Sequence, residues 1–155
     1  MKLLSPSDVS LQLTSAWSER ALARSEILVG GRPTGRIVTG EVLEAAVQWK
    51  DCYVLFVRDD IAFEDSLRIY LFDTNWELVD SVSLGSMYTT GAFSDLELVA
   101  PNTMRFQFIG GITWELELLG RGVASLPFSD PKGVSRPFGF VKRFRLKGRP
   151  LPESR

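Results

Sequence analysis

The stretch TMRFQFIGGITWELEL, residues 103–118, decides the fold class. Apolar and polar side chains alternate with period two on both sides of Gly110 and Gly111, which is typical of strands that bury one face. Two adjacent glycines suit a tight primed turn, because such a turn requires positive φ angles. The stretch therefore predicts a β-hairpin whose loop consists of the two glycines. Its predicted buried face comprises Met104, Phe106, Phe108, Ile112, Trp114, Leu116 and Leu118.

Similar patterns surround this hairpin. A second hairpin is predicted from strands at 67–71 and 76–84, joined by turn-forming residues at 73–75. Residues 53–58 are apolar at successive positions, as expected for a central strand with both faces buried. Further strands are predicted at 41–49, 93–99 and 138–147. We therefore predict a mainly β fold, an antiparallel meander of about seven or eight strands that forms a barrel or a sandwich.

The N-terminal segment admits two interpretations. Residues 9–13 alternate as in a strand, but apolar residues also follow Asp8, which is suited to cap a helix, at nearly helical spacing. We favour a short N-terminal helix at 14–25. The glycine-rich residues 30–35 are then predicted to form a loop.

A length of 155 residues fits a single domain, 1–155. Within it, we expect an N-terminal segment of uncertain structure at 1–35, the β meander at 36–119, a loop at 120–137 and a C-terminal strand at 138–147.

Composition excludes several classes of chemistry. The chain has no histidine, which removes imidazole-based catalysis and most zinc sites. Its one cysteine, Cys52, cannot form an internal disulfide, so we expect a reducing cytoplasm. The apolar stretch at the N-terminus is too short for a signal peptide, and no apolar run approaches the ~20 residues of a membrane span. We expect no cofactor, no metal and no membrane partner.

Charge is unevenly distributed along the chain. Residues 41–120 carry 4 basic and 14 acidic side chains, whereas residues 121–155 carry 9 basic and 2 acidic ones. One interpretation is internal: Arg143, Arg145 and Lys147 lie opposite Glu115 and Glu117 on the outer face of one sheet. In the other interpretation, part of the acidic surface stays free and attracts a basic partner.

Two groups of charged residues are candidate binding sites. The first is the acidic group of Asp59, Asp60, Glu64 and Asp65, which we expect to be exposed and free of metal because its spacing is not that of an EF-hand. The second is a basic group interleaved with phenylalanines, Lys142, Arg143, Arg145 and Lys147, which suits nucleic acid or anions.

No motif in the sequence identifies a reaction, and we expect no catalytic residues. We therefore predict a non-enzymatic protein-binding module, of the kind represented by bacterial toxin-immunity inhibitors, that occludes a basic partner. The alternative is a small-ligand-binding β barrel or a carboxylate-dependent enzyme, which requires a cavity lined by converging polar groups. A third interpretation is nucleic-acid or anion binding through the basic C-terminal segment. The net charge of -1 disfavours nucleic acid as the partner.

Overall fold

The computed structural model describes residues 1–61, 66–85, 92–124, 134–135 and 141–148. These ranges contain thirteen strands in three antiparallel sheets and no helix. The strands are β1 (Lys2–Leu3), β2 (Val9–Ser15), β3 (Arg24–Val29), β4 (Arg32–Thr39), β5 (Val42–Trp49), β6 (Cys52–Arg58), β7 (Leu67–Asp73), β8 (Leu78–Leu84), β9 (Ser94–Val99), β10 (Thr103–Gln107), β11 (Thr113–Ala124), β12 (Val134–Ser135) and β13 (Val141–Lys147).

The sheets form three layers. The central sheet has the strand order β1-β5-β6-β7-β8-β12, the C-terminal sheet has the order β13-β11-β10-β9, and the N-terminal sheet has the order β2-β3-β4. One apolar cluster packs the central sheet against the C-terminal sheet, and a second cluster packs its other face against the N-terminal sheet. The mainly β, antiparallel prediction is confirmed. The described strands form stacked open sheets, so a closed barrel is not confirmed.

Strand β6 lies at the centre of this arrangement. Val54 and Phe56 belong to the cluster beneath the C-terminal sheet, while Leu55 and Val57 belong to the cluster beneath the N-terminal sheet, and all four are fully buried. Successive side chains of a strand point to opposite faces, so a strand covered on both faces is apolar throughout. The prediction of a central strand at 53–58 is confirmed.

The hairpin at 103–118 is confirmed, but its loop is longer than predicted. β10 and β11 pair Phe106 with Trp114, and five residues, 108–112, connect the strands. A loop of only the two glycines would shift the register by one residue and place Trp114 opposite Gln107. The apolar face of one strand would then point away from the core. The longer loop keeps apolar residues opposite each other. Gly110 and Gly111 do have the positive φ angles expected of them, 80° and 63°.

The predicted N-terminal helix at 14–25 is wrong. This segment belongs to the hairpin formed by β2 and β3 and to the turn between these strands. The helical spacing had no buried face to support it, since Trp17 is half exposed, whereas the strand alternation buries Val9 and Ile27. The predicted loop at 30–35 is also shorter than expected: Gly30 and Gly31 form a two-residue turn, and β4 begins directly after it.

The remaining strand predictions are confirmed with shifted ends. The second hairpin forms between β7 and β8, and β5, β9 and β13 occupy the predicted positions. β11 continues to Ala124 and β12 occupies 134–135, so part of the predicted loop at 120–137 is strand. The rest of that loop, together with residues 138–140 of the predicted C-terminal strand, lies outside the described residues. Thirteen strands replace the predicted seven or eight because the N-terminal segment and several short edge pieces are also extended.

Gly148 lies against the Trp114 ring with no room for a larger side chain, which leads to a testable prediction. The Trp114 side chain is fully buried, and a Cβ atom added to Gly148 would approach its ring to 2.4 Å. We expect Gly148→Ala to lower the free energy of unfolding by about 1–3 kcal/mol in urea titrations, as overpacking in cores does. Gly120→Ala is the matched control, because a Cβ at that position meets no heavy atom within 4 Å. Equal effects of the two substitutions would contradict the packing described.

Candidate functional site

The acidic group predicted from the sequence begins at the end of β6, and its first member is buried. Asp59 is 4% exposed, and its two carboxylate oxygens accept hydrogen bonds of 3.0 Å from Nε and Nη2 of Arg68. The alternation of β6 continues through Asp59, which places its side chain on the face covered by the N-terminal sheet. The expectation that Asp59 is exposed is therefore wrong: this carboxylate joins the end of β6 to Arg68 of β7.

The second member of the group, Asp60, is exposed and differently paired. Its side chain is 55% exposed, and its Oδ1 lies 2.9 Å from Nη1 of Arg58. The same guanidinium donates a 2.8 Å hydrogen bond through Nε to Glu44 of β5. The structure therefore joins Asp60 to Glu44 through Arg58. Glu64 and Asp65, the other two members, lie outside the described residues.

The basic group does not form one patch. Lys142 is 8% exposed, whereas Arg145 and Lys147 are exposed on the outer face of the C-terminal sheet. The Arg143 amide donates to the Asp80 carboxylate of β8, at 2.8 Å. Alternation along β13 separates these residues onto different faces, because Phe144 and Leu146 are drawn into the core.

The outer face of the C-terminal sheet pairs opposite charges. Lys147 lies opposite Glu115, and Arg145 lies opposite Glu117 with 3.7 Å between the charged groups. Arg105 of β10 pairs with Glu115 from the other side, at 3.3 Å. The internal interpretation of the charge distribution is confirmed for Arg145 and Lys147, with about 0.2–1 kcal/mol expected from each cross-strand pair.

Two grooves flank the N-terminal sheet. The first, which we call the edge groove, lies between the outer edge of β5 and the start of β2 and has a volume of about 360 Å³. Its lining is mostly apolar and includes two carboxylates but no basic side chain. The lining residues are Leu3, Leu4, Ser5, Pro6, Val9, Ser10, Leu11, Glu41, Leu43, Glu44, Ala45 and Ala46.

Acidic groups gather at one end of the edge groove. Glu41 is exposed, and its backbone N–H donates a 3.0 Å hydrogen bond to the carbonyl of Arg58. Glu44 and Asp60 bind the Arg58 guanidinium from two sides. Two carboxylates therefore share one guanidinium, and Glu41 adds a third, exposed acidic side chain at this end of the groove.

The second groove, which we call the aromatic groove, lies between β4 and the β7–β8 hairpin and also measures about 360 Å³. Tyr70, Phe72 and Trp76 line it, and the Trp76 ring stacks on Tyr53 with centroids 4.4 Å apart. Trp76 has a φ of 59°, a conformation uncommon for a bulky residue. The surrounding turn stabilises this conformation of Trp76, because the Asp73 carboxylate accepts hydrogen bonds from the backbone amides of Asn75 and Glu77. Ile37 and Leu78 at the rim are exposed.

Two titratable groups in the central sheet are made less reactive by burial. Burial raises the pKa of the Cys52 thiol, and nearby Arg143 opposes this only in part. Burial also raises the pKa of Tyr70, whose hydroxyl bonds both backbone groups of Thr39. Both side chains are therefore protonated at neutral pH. This state favours a packing role for Cys52 over a nucleophilic one.

Within the described ranges, no three His, Cys, Asp or Glu side chains are arranged to hold a metal ion. The same ranges contain no helix with the length and apolar character that a membrane crossing requires. Comparisons with protein family models, with curated proteins and with solved structures found no match for this chain.

Sequence reasoning missed the partners of the acidic group. Arg58 and Arg68 interrupt two apolar strand patterns on either side of the acidic residues, and that placement was the available signal. Charged residues at buried positions are normally paired. Glu41 and Glu44 carried no comparable signal, because their approach to Arg58 depends on the pairing of β5 with β6.

Proposed function

We propose that this chain is a non-enzymatic protein-binding module whose partner is basic, and that it acts as toxin-immunity inhibitors do, by occluding the partner's surface. The observation that supports this most directly is the edge groove, which combines accessible apolar side chains with Glu41 and Glu44 and no basic lining residue. Apolar contacts supply affinity in such an interface, while charges govern encounter and specificity.

The acidic surface in this proposal differs from the one expected from the sequence. Asp59 takes no part, because its carboxylate is buried against Arg68. Asp60 remains, together with Glu41 and Glu44 at the same end of the central sheet. We place the interaction in a bacterial cytoplasm, since the free thiol of Cys52 fits a reducing compartment.

The aromatic groove supports the alternative function, binding of a small ligand, although in an open cleft rather than a barrel. Rings of Tyr70, Phe72 and Trp76 offer a stacking surface for a planar or apolar molecule. The rim charges Arg36 and Glu77 pair with each other. Because both rim charges are engaged within the chain, whereas Glu41 of the edge groove forms no ion pair with a described residue, we rank this function second.

The test of the proposed function is the electrostatics of association. A partner is first captured from the source cell with the immobilised 155-residue chain, and association rates are then measured at increasing salt. We expect the rate constant to fall as the screening length shortens from ~10 Å at 0.1 M to ~3 Å at 1 M salt. Glu41→Lys should slow association about tenfold or more without changing the thermal midpoint, because exposed charges affect encounter more than stability.

Glu97→Lys provides the matched control, since Glu97 is also exposed but lies on the C-terminal sheet, on the opposite side of the molecule's central layer. It should leave the association rate within about twofold of wild type. An acidic partner, or a rate constant insensitive to salt, would contradict the proposal. Loss of binding on neutralising Arg145 and Lys147 alone would favour the basic C-terminal residues instead.

A further inference from the structure

We propose that the edge groove takes an extended, basic segment of the partner, which adds to the outer edge of β5 as an extra antiparallel strand. This inference rests on the proposed function and identifies its docking surface. It follows from three features of the same region: an open sheet edge, an apolar groove beside it and two acidic side chains in a groove lining that contains no basic residue.

The outer edge of β5 is only partly covered. β1 pairs with β5 through Lys2 opposite Gln48 and Leu3 opposite Val47. Beyond these pairs, residues 42–45 of β5 have no strand neighbour on that side in the part of the chain that is described. An uncovered edge presents backbone donors and acceptors that another chain can pair with.

The chain itself demonstrates that this edge accepts an antiparallel strand. After β1, the amide of Leu4 still donates to the carbonyl of Ala46, at 2.8 Å. The backbone then leaves the edge in a turn, in which the Asp8 carboxylate accepts the Ser5 amide and hydroxyl. That turn redirects the chain into β2 and the N-terminal sheet, so the β1 pairing stops where the edge groove begins.

The side chains around the open edge define what the added strand should carry. Apolar side chains such as Leu4, Leu11 and Leu43 line the groove, and the carboxylates of Glu41 and Glu44 also line it. Side chains of a strand alternate between two faces, so one face of the added segment can fill the apolar part beside Leu43 while Lys or Arg on the other lies near Glu44. Glu41, two residues before Leu43, is exposed at the end of the open edge. Four residues of open edge span about 13 Å.

The outer edge of β4, on the other side of the N-terminal sheet, is engaged at its end. There the Tyr70 hydroxyl accepts the Thr39 amide at 3.1 Å and donates to the Thr39 carbonyl at 2.9 Å. Arg36 of β4 also forms an ion pair with Glu77 across the aromatic groove. These contacts use backbone groups and charges that an added strand would need, and they favour the edge groove as the docking surface.

The experiment uses the intact chain, labelled with ¹⁵N, and three synthetic acetylated hexapeptides. The first alternates lysine and valine, the second alternates glutamate and valine, and the third repeats the first with alternate backbone amides N-methylated. We expect the lysine peptide to shift the amide resonances of residues 42–45, and to bind at least about tenfold more tightly than the other two peptides. Glu41→Lys should weaken binding of the lysine peptide about tenfold, whereas Glu97→Lys should leave this binding unchanged.

Each result has a defined meaning. Equal binding of the lysine and N-methylated peptides would overturn strand addition, because that mode depends on backbone hydrogen bonds. Absence of binding at millimolar peptide, or shifts confined to the aromatic groove, would overturn the docking site. If a basic partner is captured and its association depends on salt, but residues 42–45 gain no protection from hydrogen exchange in the complex, the proposed function stands and this docking surface fails. Shifts at residues 42–45 without any basic partner would support the docking chemistry and contradict the function.

Discussion

Replacing Trp114 with alanine is expected to lower the free energy of unfolding by about 3–5 kcal/mol, measured in urea or guanidinium titrations. The indole is fully buried between the central and C-terminal sheets, and its Nε1 donates a 2.9 Å hydrogen bond to the carbonyl of Ile109. The substitution therefore opens a cavity and also leaves a buried carbonyl without its partner. Both effects act in the same direction.

Trp17→Ala is the matched control for this substitution. Trp17 is 50% exposed in the turn region between β2 and β3, so its removal leaves no cavity. We expect a change within about 0.5 kcal/mol, as for surface substitutions generally. A loss below about 1 kcal/mol on removing Trp114 would show that the apolar face of the hairpin is not packed as described.

Asp59→Ala is expected to cost about 3 kcal/mol of unfolding free energy, because it leaves the largely buried guanidinium of Arg68 without its carboxylate. The Arg68 side chain is 20% exposed, and its remaining described partner is the Ser83 hydroxyl at 3.0 Å. A second substitution, Arg68→Met, should recover part of the lost unfolding free energy. It removes the unpaired charge, which contributes more to the destabilisation than the missing hydrogen bonds do.

Asp60→Ala tests the same residue type one position further along the chain. Asp60 is exposed, and ion pairs at exposed positions contribute about 0–1 kcal/mol. The two alanine variants should therefore differ by about 2 kcal/mol or more in chemical denaturation. Similar losses would mean that Asp59 is as accessible to solvent as Asp60.

How far the sequence predicts this structure depends on the kind of signal. A long period-two pattern identified the hairpin containing Trp114, and a continuous apolar run identified the central strand at 53–58, because each pattern reports which faces are buried. The length of the loop at Gly110 and Gly111 was predicted wrongly as two residues, since two glycines also fit within a longer loop. In the N-terminal segment the strand and helix periods overlapped, and the pairing of β2 with β3 decided between them.

The candidate site was less accessible to prediction. The acidic residues were recognised as a group, but their partners come from strands distant in sequence: Glu44 and Asp60 share Arg58 only because β5 pairs with β6. The burial of Asp59 depends on its strand parity and on coverage by the N-terminal sheet. The open edge of β5 is a property of strand order, which no local pattern encodes.

The two apolar clusters on opposite faces of the central sheet imply unequal cooperative units. Among the described residues, eighteen buried side chains form the cluster between the central and C-terminal sheets. Only eight form the cluster between the central and N-terminal sheets. The N-terminal sheet is also continuous in sequence, from Val9 to Thr39, so it can separate without unthreading any other strand. Partial opening of the native state therefore begins with this layer. The first apolar surface released to solvent is the face of β6 and β7 that carries Leu55, Val57, Tyr70 and Phe72.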